Sequence, residues 1–187
     1  MTQILAFAGS LRTNSMTRKA LEVATAASRA AGGNVTLLDL AAPRLPLLDE
    51  SATEPDPAVQ AFRASVRACE ALLIATPVYH DSYSGVLKNA LDHLYDELAD
   101  KVVALIVVGG GSNGQGQALE HLRSVFRETS SWVIPRQVIV ANAAHAFGED
   151  GRPVNLDVER RLVALGQELV LRGRQLSRRR VPSSARG

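Results

Sequence analysis

The sequence predicts an α/β fold, a doubly wound parallel sheet of five strands in the order 2-1-3-4-5. Short apolar runs alternate with helical patterns, and loops bearing glycine, serine or proline follow the first, third and fourth runs. No run approaches the ~20 apolar residues that cross a bilayer. Alternating strands and helices form a parallel sheet covered on both faces, because the crossovers are right-handed. In this strand order the ligand crevice opens between strands 1 and 3.

The predicted elements follow one another without an internal repeat or a dividing linker. Apolar runs place the strands at residues 3–8, 35–40, 71–75, 102–108 and 137–141. Helical spacing predicts a helix that ends near residue 31 and further helices around residues 59–69, 85–98, 119–126 and 155–176. We therefore expect one domain over residues 1–177, followed by a basic tail at residues 178–187 that is expected to be disordered.

The third strand and the segment after it organise the prediction. The apolar run from Ala71 to Ala75 is typical of a strand buried on both faces. We expect Thr76-Pro77 to end it, because proline has no amide hydrogen for the ladder and restricts the residue before it. A loop with two tyrosines and then Ser84-Gly85 lead into a helix. The leucines on one side of that helix are Leu87, Leu91, Leu94 and Leu98.

The loop after strand 1 has the composition of a phosphate site. Its hydroxyl and amide donors are Ser10, Thr13, Asn14, Ser15 and Thr17. The next helix adds unpaired backbone amides and the positive end of its dipole, and Arg12 adds a guanidinium. With one glycine and no Lys-Ser/Thr pair, the loop suits a monophosphate better than a dinucleotide or a Walker-type ligand. The alternative is that Ser15 only caps the helix and the rest is a polar turn.

The loop at residues 109–114 matches two known patterns. As G-x-G-x-x-G it would bind a dinucleotide, but it follows the wrong strand and no acid ends the next strand. As G-x-S-x-G it would make Ser112 a nucleophile and His145 its base, with Glu128, predicted in mid or late helix, as the remaining acid. A Ser112 hydrolase is the less favoured alternative. Glycines here more simply let backbone amides approach a ligand ring.

Charge and cysteine content narrow the classes of partner. Six arginines and no acid follow residue 171, and subtracting them from the formal +2 leaves −4, so the pI near 9.0 reflects the tail. Basic residues do not interleave with aromatic residues, which argues against a nucleic-acid partner.

Cysteine and histidine content bear on the compartment and on metals. Cys69 is the single cysteine and no signal-peptide pattern opens the chain, so we expect a cytoplasmic protein without membrane contact. The four histidines lack metal-ligand spacing, so no metal is expected, and His93 is expected on a helix surface.

Several short motifs together resemble the NADPH-dependent FMN reductase family. Spread over roughly residues 3–142, they are Gly9-Ser10-Leu11-Arg12 with Ser15, Thr76-Pro77-Val78-Tyr79, Ser84-Gly85, Leu87-Lys88-Asn89 and Leu91-Asp92. The resemblance implies a flavodoxin-like fold and a non-covalent FMN. It implies that the FMN phosphate is held by Ser10, Arg12, Ser15, Met16 and Thr17. It implies that the isoalloxazine ring is lined by Pro77, Val78, Tyr79 and His80, with Ser84 close by. It implies that the pyrimidine edge contacts Gly110, Gly111 and Ser112.

The resemblance also implies an activity. NADPH would deliver hydride to bound FMN and leave, and a flavin, quinone, azo compound or similar acceptor would take its place, a ping-pong reaction that needs no catalytic acid or base from the protein. Members that shuttle free flavin carry an inserted tyrosine after strand 4, where this chain has His121, which favours a tightly held FMN. The alternative is a flavodoxin-type electron carrier that does not oxidise NADPH. Val86 and Ala90 widen the leucine stripe, so we expect a homodimer or homotetramer through that helix.

Overall fold

The computed structural model describes residues 1–42, 44–52, 54, 56–111 and 115–177. Ser112 and the predicted tail at residues 178–187 lie outside the described residues. The strands are β1 (Gln3–Ala8), β2 (Asn34–Leu38), β3 (Ala71–Tyr79), β4 (Ser82–Tyr83), β5 (Val102–Val108) and β6 (Trp132–Val140). The α-helices are α1 (Met16–Ala30), α2 (Pro57–Arg67), α3 (Gly85–Asp92), α4 (Gln115–Glu128) and α5 (Leu156–Ser177). Short 3-10 helices span Asp96–Leu98 and Ala143–His145.

The sheet confirms the predicted topology. Its order is β2-β1-β3-β5-β6 with every neighbouring pair parallel, which is 2-1-3-4-5 when the five long strands are counted in sequence. The two-residue strand β4 was not predicted and pairs antiparallel with the end of β3. One face packs against α1 and α5, and the other against α2, α3 and α4. The carboxyl ends of β1, β3 and β5 therefore lie side by side at one edge of the sheet.

Side-chain caps begin the helices that follow β1 and β3. The Ser15 hydroxyl accepts a hydrogen bond from the Thr17 amide at 3.1 Å, and the Ser84 hydroxyl accepts one from the Leu87 amide at 3.1 Å. At the other end of α1, Gly32 takes a φ of +83°, a left-handed conformation that favours glycine and ends the helix. None of the helices in the described residues combines the length and apolar character that a bilayer span requires.

The prediction that Thr76-Pro77 ends the third strand was wrong. β3 continues to Tyr79, and Pro77 lies in register with Val108 of β5. The Gly9 amide donates to the Ala75 carbonyl at 2.8 Å, which is the last bond between β1 and β3. The backbone of Pro77 faces the same side as Ala75, where β1 has already ended, because alternate residues of a strand point the same way. Pro77 lacks an amide hydrogen, but no hydrogen bond between β1 and β3 is lost, because β1 does not extend that far.

The third helix is shorter than predicted. α3 ends at Asp92 and a separate 3-10 turn follows at Asp96–Leu98, although Leu94 and Leu98 are buried as expected from the leucine pattern. The Tyr95 amide donates to the Glu97 carboxylate at 2.9 Å, so a side chain takes the place of a helical acceptor at the break.

The fifth long strand begins earlier than residue 137. β6 starts at Trp132 and includes Pro135, because a register shift opposite the Val103–Leu105 segment of β5 accommodates the extra residues. This edge position tolerates proline. The Arg123 guanidinium donates to the carbonyls of Ile134 and Pro135 at 3.1 and 3.3 Å, which satisfies part of the irregular segment.

Two predicted surface features are buried. His93 is 6% exposed and its Nε2 lies 2.9 Å from the Pro46 carbonyl, so it holds the loop after β2 rather than facing solvent. Ala90 of α3 is 1% exposed and faces the core, so it does not widen an outward apolar stripe as expected.

Candidate functional site

Hydrogen bonds join the loops after β1 and β3. The Ser84 hydroxyl, 2% exposed, donates to the Gly9 carbonyl at 2.6 Å and so connects the start of α3 to the end of β1. The Thr76 hydroxyl accepts from the Ser84 amide at 3.1 Å, which closes the loop after β3 on itself. These contacts fix two strand ends next to each other at the edge where ligands bind in doubly wound sheets.

The loop after β1 presents hydroxyls and amides around the start of α1. Ser10, Ser15 and Thr17 are buried, whereas Arg12 is exposed and free to reach a ligand. Met16 is half-buried and packs against the core, so only its backbone amide can serve the predicted phosphate site. No acidic residue lies in the first turn of this 15-residue helix. The donor set and the helix dipole together favour a phosphate.

Replacing Ser15 with alanine is expected to weaken binding of the FMN that the resemblance implies about tenfold, because a hydrogen bond to its charged phosphate would be lost. The same change should lower the free energy of unfolding by about 1 kcal/mol through loss of the helix cap. Ser15→Thr should restore both. The checks are equilibrium FMN titration and urea unfolding, with Ser65→Ala, which changes a half-buried serine on α2, as control. Equal FMN affinity in Ser15→Ala and Ser65→Ala would contradict a phosphate role.

The loop after β3 is a two-residue hairpin. Tyr79 pairs with Ser82, and His80 and Asp81 between them have φ values of 49° and 59°. Two left-handed residues at the centre are typical of a type I′ turn, which usually carries Asn-Gly. Each non-glycine residue in this conformation costs on the order of 1 kcal/mol. The chain thus retains side chains at the tip of this hairpin where glycine would be easier to accommodate.

The hairpin directs its side chains to two faces. Tyr79 is 54% exposed and His80 is exposed, as a rim against a ligand ring requires. Val78 and Tyr83 are half-buried and pack against the core on the α3 side, and burial raises the pKa of the Tyr83 hydroxyl. Pro77, half-buried, lies on the same face as Tyr79. Val78 can therefore line a ring with its backbone but not with its side chain.

The glycine loop after β5 offers backbone amides. Gly110 and Gly111 are exposed, and within the described residues neither amide has an acceptor. The Gly111 carbonyl is held from two sides, by the Asn142 amide at 3.1 Å and the Gln115 side chain at 2.6 Å. This arrangement leaves the amides available to a ligand edge while the carbonyl is fixed.

The acid proposed for a Ser112 hydrolase is misplaced. Glu128 is the last residue of α4, whose 14 residues extend about 20 Å from the glycine loop. Glu128 therefore lies near the amino edge of the sheet, far from His145 and from the loop that contains Ser112. The described residues do not bring this triad together.

A hydrogen bond connects the hairpin to α4. Ser82 Oγ lies 3.0 Å from His121 Nδ1, so the helix that follows the glycine loop also holds the hairpin of Tyr79. From the sequence, His121 was expected near the site only because of its place in the helix after the fourth strand, and its contact with Ser82 was not predicted.

Replacing His121 with alanine should raise the Kd for FMN about three- to tenfold, the range expected for one lost hydrogen bond. His121→Asn should restore affinity, because its amide nitrogen lies near the position of Nδ1, whereas Ser82→Ala should reproduce the loss. Fluorescence titration of FMN with the single and double variants forms a thermodynamic cycle. If the losses of FMN affinity in His121→Ala and Ser82→Ala are additive in the double variant, the contact does not position the hairpin. Glu120→Gln, on the same helix, is the control.

Sequence reasoning missed the residues that support the site from behind. Thr76 is fully buried and holds Ser84, and Gln115 holds Gly111. A Cβ added to Gly9 would lie 2.6 Å from Ser84 Oγ and 2.8 Å from Leu87 Cβ. In the sequence, only the positions of Gly9, Thr76 and Gln115 next to the predicted loops could have indicated this supporting role.

The residues present fit FMN. The hydroxyl-rich start of α1 matches a phosphate, and the hairpin with the exposed Tyr79 matches a flat ring. The amides of Gly110 and Gly111, which have no acceptor among the described residues, match a polar ring edge. A cavity of about 770 Å³ lies at the opposite edge of the sheet, where the strands begin, against Trp132 and Arg127. Two acids, Asp100 and Glu120, and two arginines, Arg123 and Arg127, line it, so it has no excess positive charge for a phosphate.

Comparisons with known proteins point to the same cofactor. The family model described as NADPH-dependent FMN reductase matches residues 2–145. An NADPH azoreductase from Bacillus sp. (strain OY1-2) is 36% identical over 134 residues, 68% of this chain and 75% of that protein. An NAD(P)H-dependent FMN reductase from Pseudomonas aeruginosa is 35% identical over 158 residues, 80% of this chain and 83% of that protein.

A solved structure gives the same fold. FerB, a flavoenzyme NAD(P)H:(acceptor) oxidoreductase from Paracoccus denitrificans, superposes with a TM-score of 0.77 at 20% identity, over 94% of this chain and 98% of that one. The flavodoxin-like fold predicted from the sequence is thus confirmed. Since the family model covers most of the chain, and relatives above 30% identity match more than two thirds of it, the chain belongs to the NADPH-dependent FMN reductase family, oxidoreductases that use FMN and NADPH.

Proposed function

We propose that this protein binds FMN across the ends of β1, β3 and β5 and uses it to pass electrons from NADPH to a small-molecule acceptor. The observation that carries the proposal is the Ser84–Gly9 hydrogen bond of 2.6 Å, which holds the phosphate loop and the ring-flanking hairpin together. The relatives named NADPH azoreductase and FMN reductase favour an azo compound, a flavin or a similar acceptor such as a quinone.

Each loop has a separate task in this proposal. The phosphate is held by Ser10, Arg12, Ser15, Thr17 and the Met16 amide. The ring rests against Pro77, the backbone of Val78, Tyr79 and His80, with Ser84 behind them. The pyrimidine edge meets Gly110 and Gly111, and Ser112 follows them in the sequence.

The bound FMN supplies the two-electron chemistry. The amides of Gly110 and Gly111 would stabilise negative charge at the ring edge, because preorganised donors act strongly where charge develops. Tyr79 and His80, at the exposed rim, orient the nicotinamide and then the acceptor over the same face. No side chain need donate or remove a proton as a catalytic acid or base.

The proposal is tested by the absorbance spectrum of the purified protein, followed by titration with NADPH without oxygen. We expect a flavin spectrum that is bleached by one equivalent of NADPH and restored by menadione. A spectrum that NADPH leaves unchanged, but dithionite bleaches, would favour the flavodoxin-type carrier. A colourless protein that gains no flavin absorbance with added FMN would contradict the proposal.

We also propose that the protein is a homodimer or homotetramer. The support is a group of exposed apolar side chains near α3, Leu48 at 37% and Tyr95 at 53% exposure, rather than the Ala90 stripe expected from the sequence. Sedimentation velocity at micromolar concentration should give an assembly; a single monomer peak would contradict it. We further propose that the protein is cytoplasmic and that residues 1–177 form a single FMN-binding domain.

A further inference from the structure

A separate cavity of about 260 Å³ lies beside the phosphate loop. Leu11 of that loop forms one wall, Gly85 and Val86 at the start of α3 form another, and Leu40 and Leu45 after β2 form a third. Leu11 lies between Ser10 and Arg12, and Gly85 follows Ser84. The cavity therefore shares its walls with the proposed FMN site without being part of it.

The outer wall of the cavity is held in place by three hydrogen bonds. Asn89 of α3 donates to the Pro46 carbonyl at 2.8 Å and accepts from the Leu48 amide at 3.1 Å. The buried His93 places Nε2 2.9 Å from the same Pro46 carbonyl. These bonds fix the segment that carries Leu45 and Leu47, so the cavity is formed before any ligand binds.

The lining combines an apolar surface with one positive charge. Leucine and valine side chains dominate the walls, and among the described residues that line the cavity only Arg44 is charged. Within the described residues Arg44 forms no ion pair. A guanidinium pairs with carboxylates and sulfonates in a fixed, forked geometry, and the leucines favour an aromatic body.

The volume indicates how much of a ligand the cavity holds. Sites for whole drug-sized ligands have volumes of about 300–1,000 Å³, so 260 Å³ suits one aromatic arm of a larger molecule. An arm placed here would leave the rest of an acceptor beside the loops that hold the flavin.

We propose that this cavity is an acceptor subsite for an aromatic arm bearing a carboxylate or sulfonate, with Arg44 as the residue that selects the anion. The acceptor role rests on the proposed function, whereas binding of the arm itself does not. Leu48 and Tyr95, the surface proposed for the assembly, do not line this cavity. A second copy of the chain that also covered Leu45 and Leu47 would exclude the arm.

Calorimetric titration of the full-length protein with naphthalene-2-sulfonate and with uncharged naphthalene-2-sulfonamide tests the subsite without NADPH. We expect the sulfonate to bind about tenfold more tightly, the gain of one charge-assisted hydrogen bond. Arg44→Gln should remove that preference, and Val86→Phe, which fills the cavity, should weaken both probes. Arg160→Gln, an exposed arginine on α5, should behave as wild type.

Equal affinity for the two probes, or an anion preference that survives Arg44→Gln, would overturn the proposal. Failure of both probes to bind would indicate a cavity closed by a second copy and would also overturn it. In turnover, Arg44→Gln should lower the selectivity for a carboxylated azo dye over uncharged menadione. A protein that binds the sulfonate through Arg44 but oxidises NADPH with neither acceptor would retain the binding site and refute the proposed function.

Discussion

Gly9→Ala is expected to lower the free energy of unfolding by about 2 kcal/mol, the usual cost of forcing extra atoms into a packed interior. The new Cβ would lie 2.6 Å from Ser84 Oγ and 2.8 Å from Leu87 Cβ. The Leu87 backbone belongs to α3 and cannot rotate away, so the end of β1 and the start of α3 must separate. NADPH oxidation through FMN should fall about a hundredfold, because a displacement of about 1 Å has that effect on positioned reactants.

Gly116→Ala is the matched control. An added Cβ at Gly116 meets nothing within 4 Å, and the residue lies within α4, so alanine should stabilise the protein by about 0.5–1 kcal/mol and leave FMN binding unchanged. Urea unfolding and FMN titration of both variants give the comparison. If Gly9→Ala binds FMN with wild-type affinity, the close approach of the two loops is not needed for the site.

Glu97→Ala is expected to destabilise the fold by about 3 kcal/mol without a direct effect on FMN affinity. The Glu97 carboxylate, 2% exposed, accepts from Arg63 and Arg67 at 2.6 Å each and from the Tyr95 amide at 2.9 Å. Removing one partner of a buried ion pair costs about 3–5 kcal/mol. The lower value applies because both arginines are partly exposed and can be solvated. The exposed Glu149→Ala is the control in urea unfolding, and equal stability of the two variants would contradict this role.

The same carboxylate predicts how stability depends on pH. Burial alone would raise the pKa of Glu97, but the hydrogen bonds from Arg63 and the Tyr95 amide outweigh it and lower the pKa from 4.5 to about 2. Its contribution to stability is therefore fully present above about pH 4.5 and is lost as the pH falls towards 2. In Glu97→Gln that part of the acid dependence should disappear. If the free energy of unfolding of Glu97→Gln still falls between pH 4.5 and 2 as in the wild type, this role of Glu97 is contradicted.

The sheet order could be predicted because buried parallel strands have apolar runs, and these are local features of the sequence. The end of β3 could not, because Pro77 is tolerated only where β1 has already stopped, which depends on the register between strands. Likewise the break of α3 depends on Glu97, whose arginine partners come from α2, some 30 residues away. The extension of β6 back to Trp132 depends on an irregular pairing opposite β5.

The candidate site was predictable to the extent that its chemistry is carried by loop residues. Ser10, Ser15 and Thr17 gather around the start of α1 as expected, and Tyr79 lies exposed at the rim. Side-chain direction was not predictable: Met16 faces the core although its neighbours serve the loop. Hydrogen bonds such as Ser82–His121 join segments 39 residues apart and leave no pattern in a single sequence.

A crystal structure of the protein with FMN tests the central claim most directly. We predict the phosphate at the start of α1, within hydrogen-bond distance of Ser15 and Thr17, the ring against Pro77 and Tyr79, and its pyrimidine edge at Gly110 and Gly111. FMN bound at the amino edge near Trp132, or no FMN at these loops when the ligand is in excess, would contradict it.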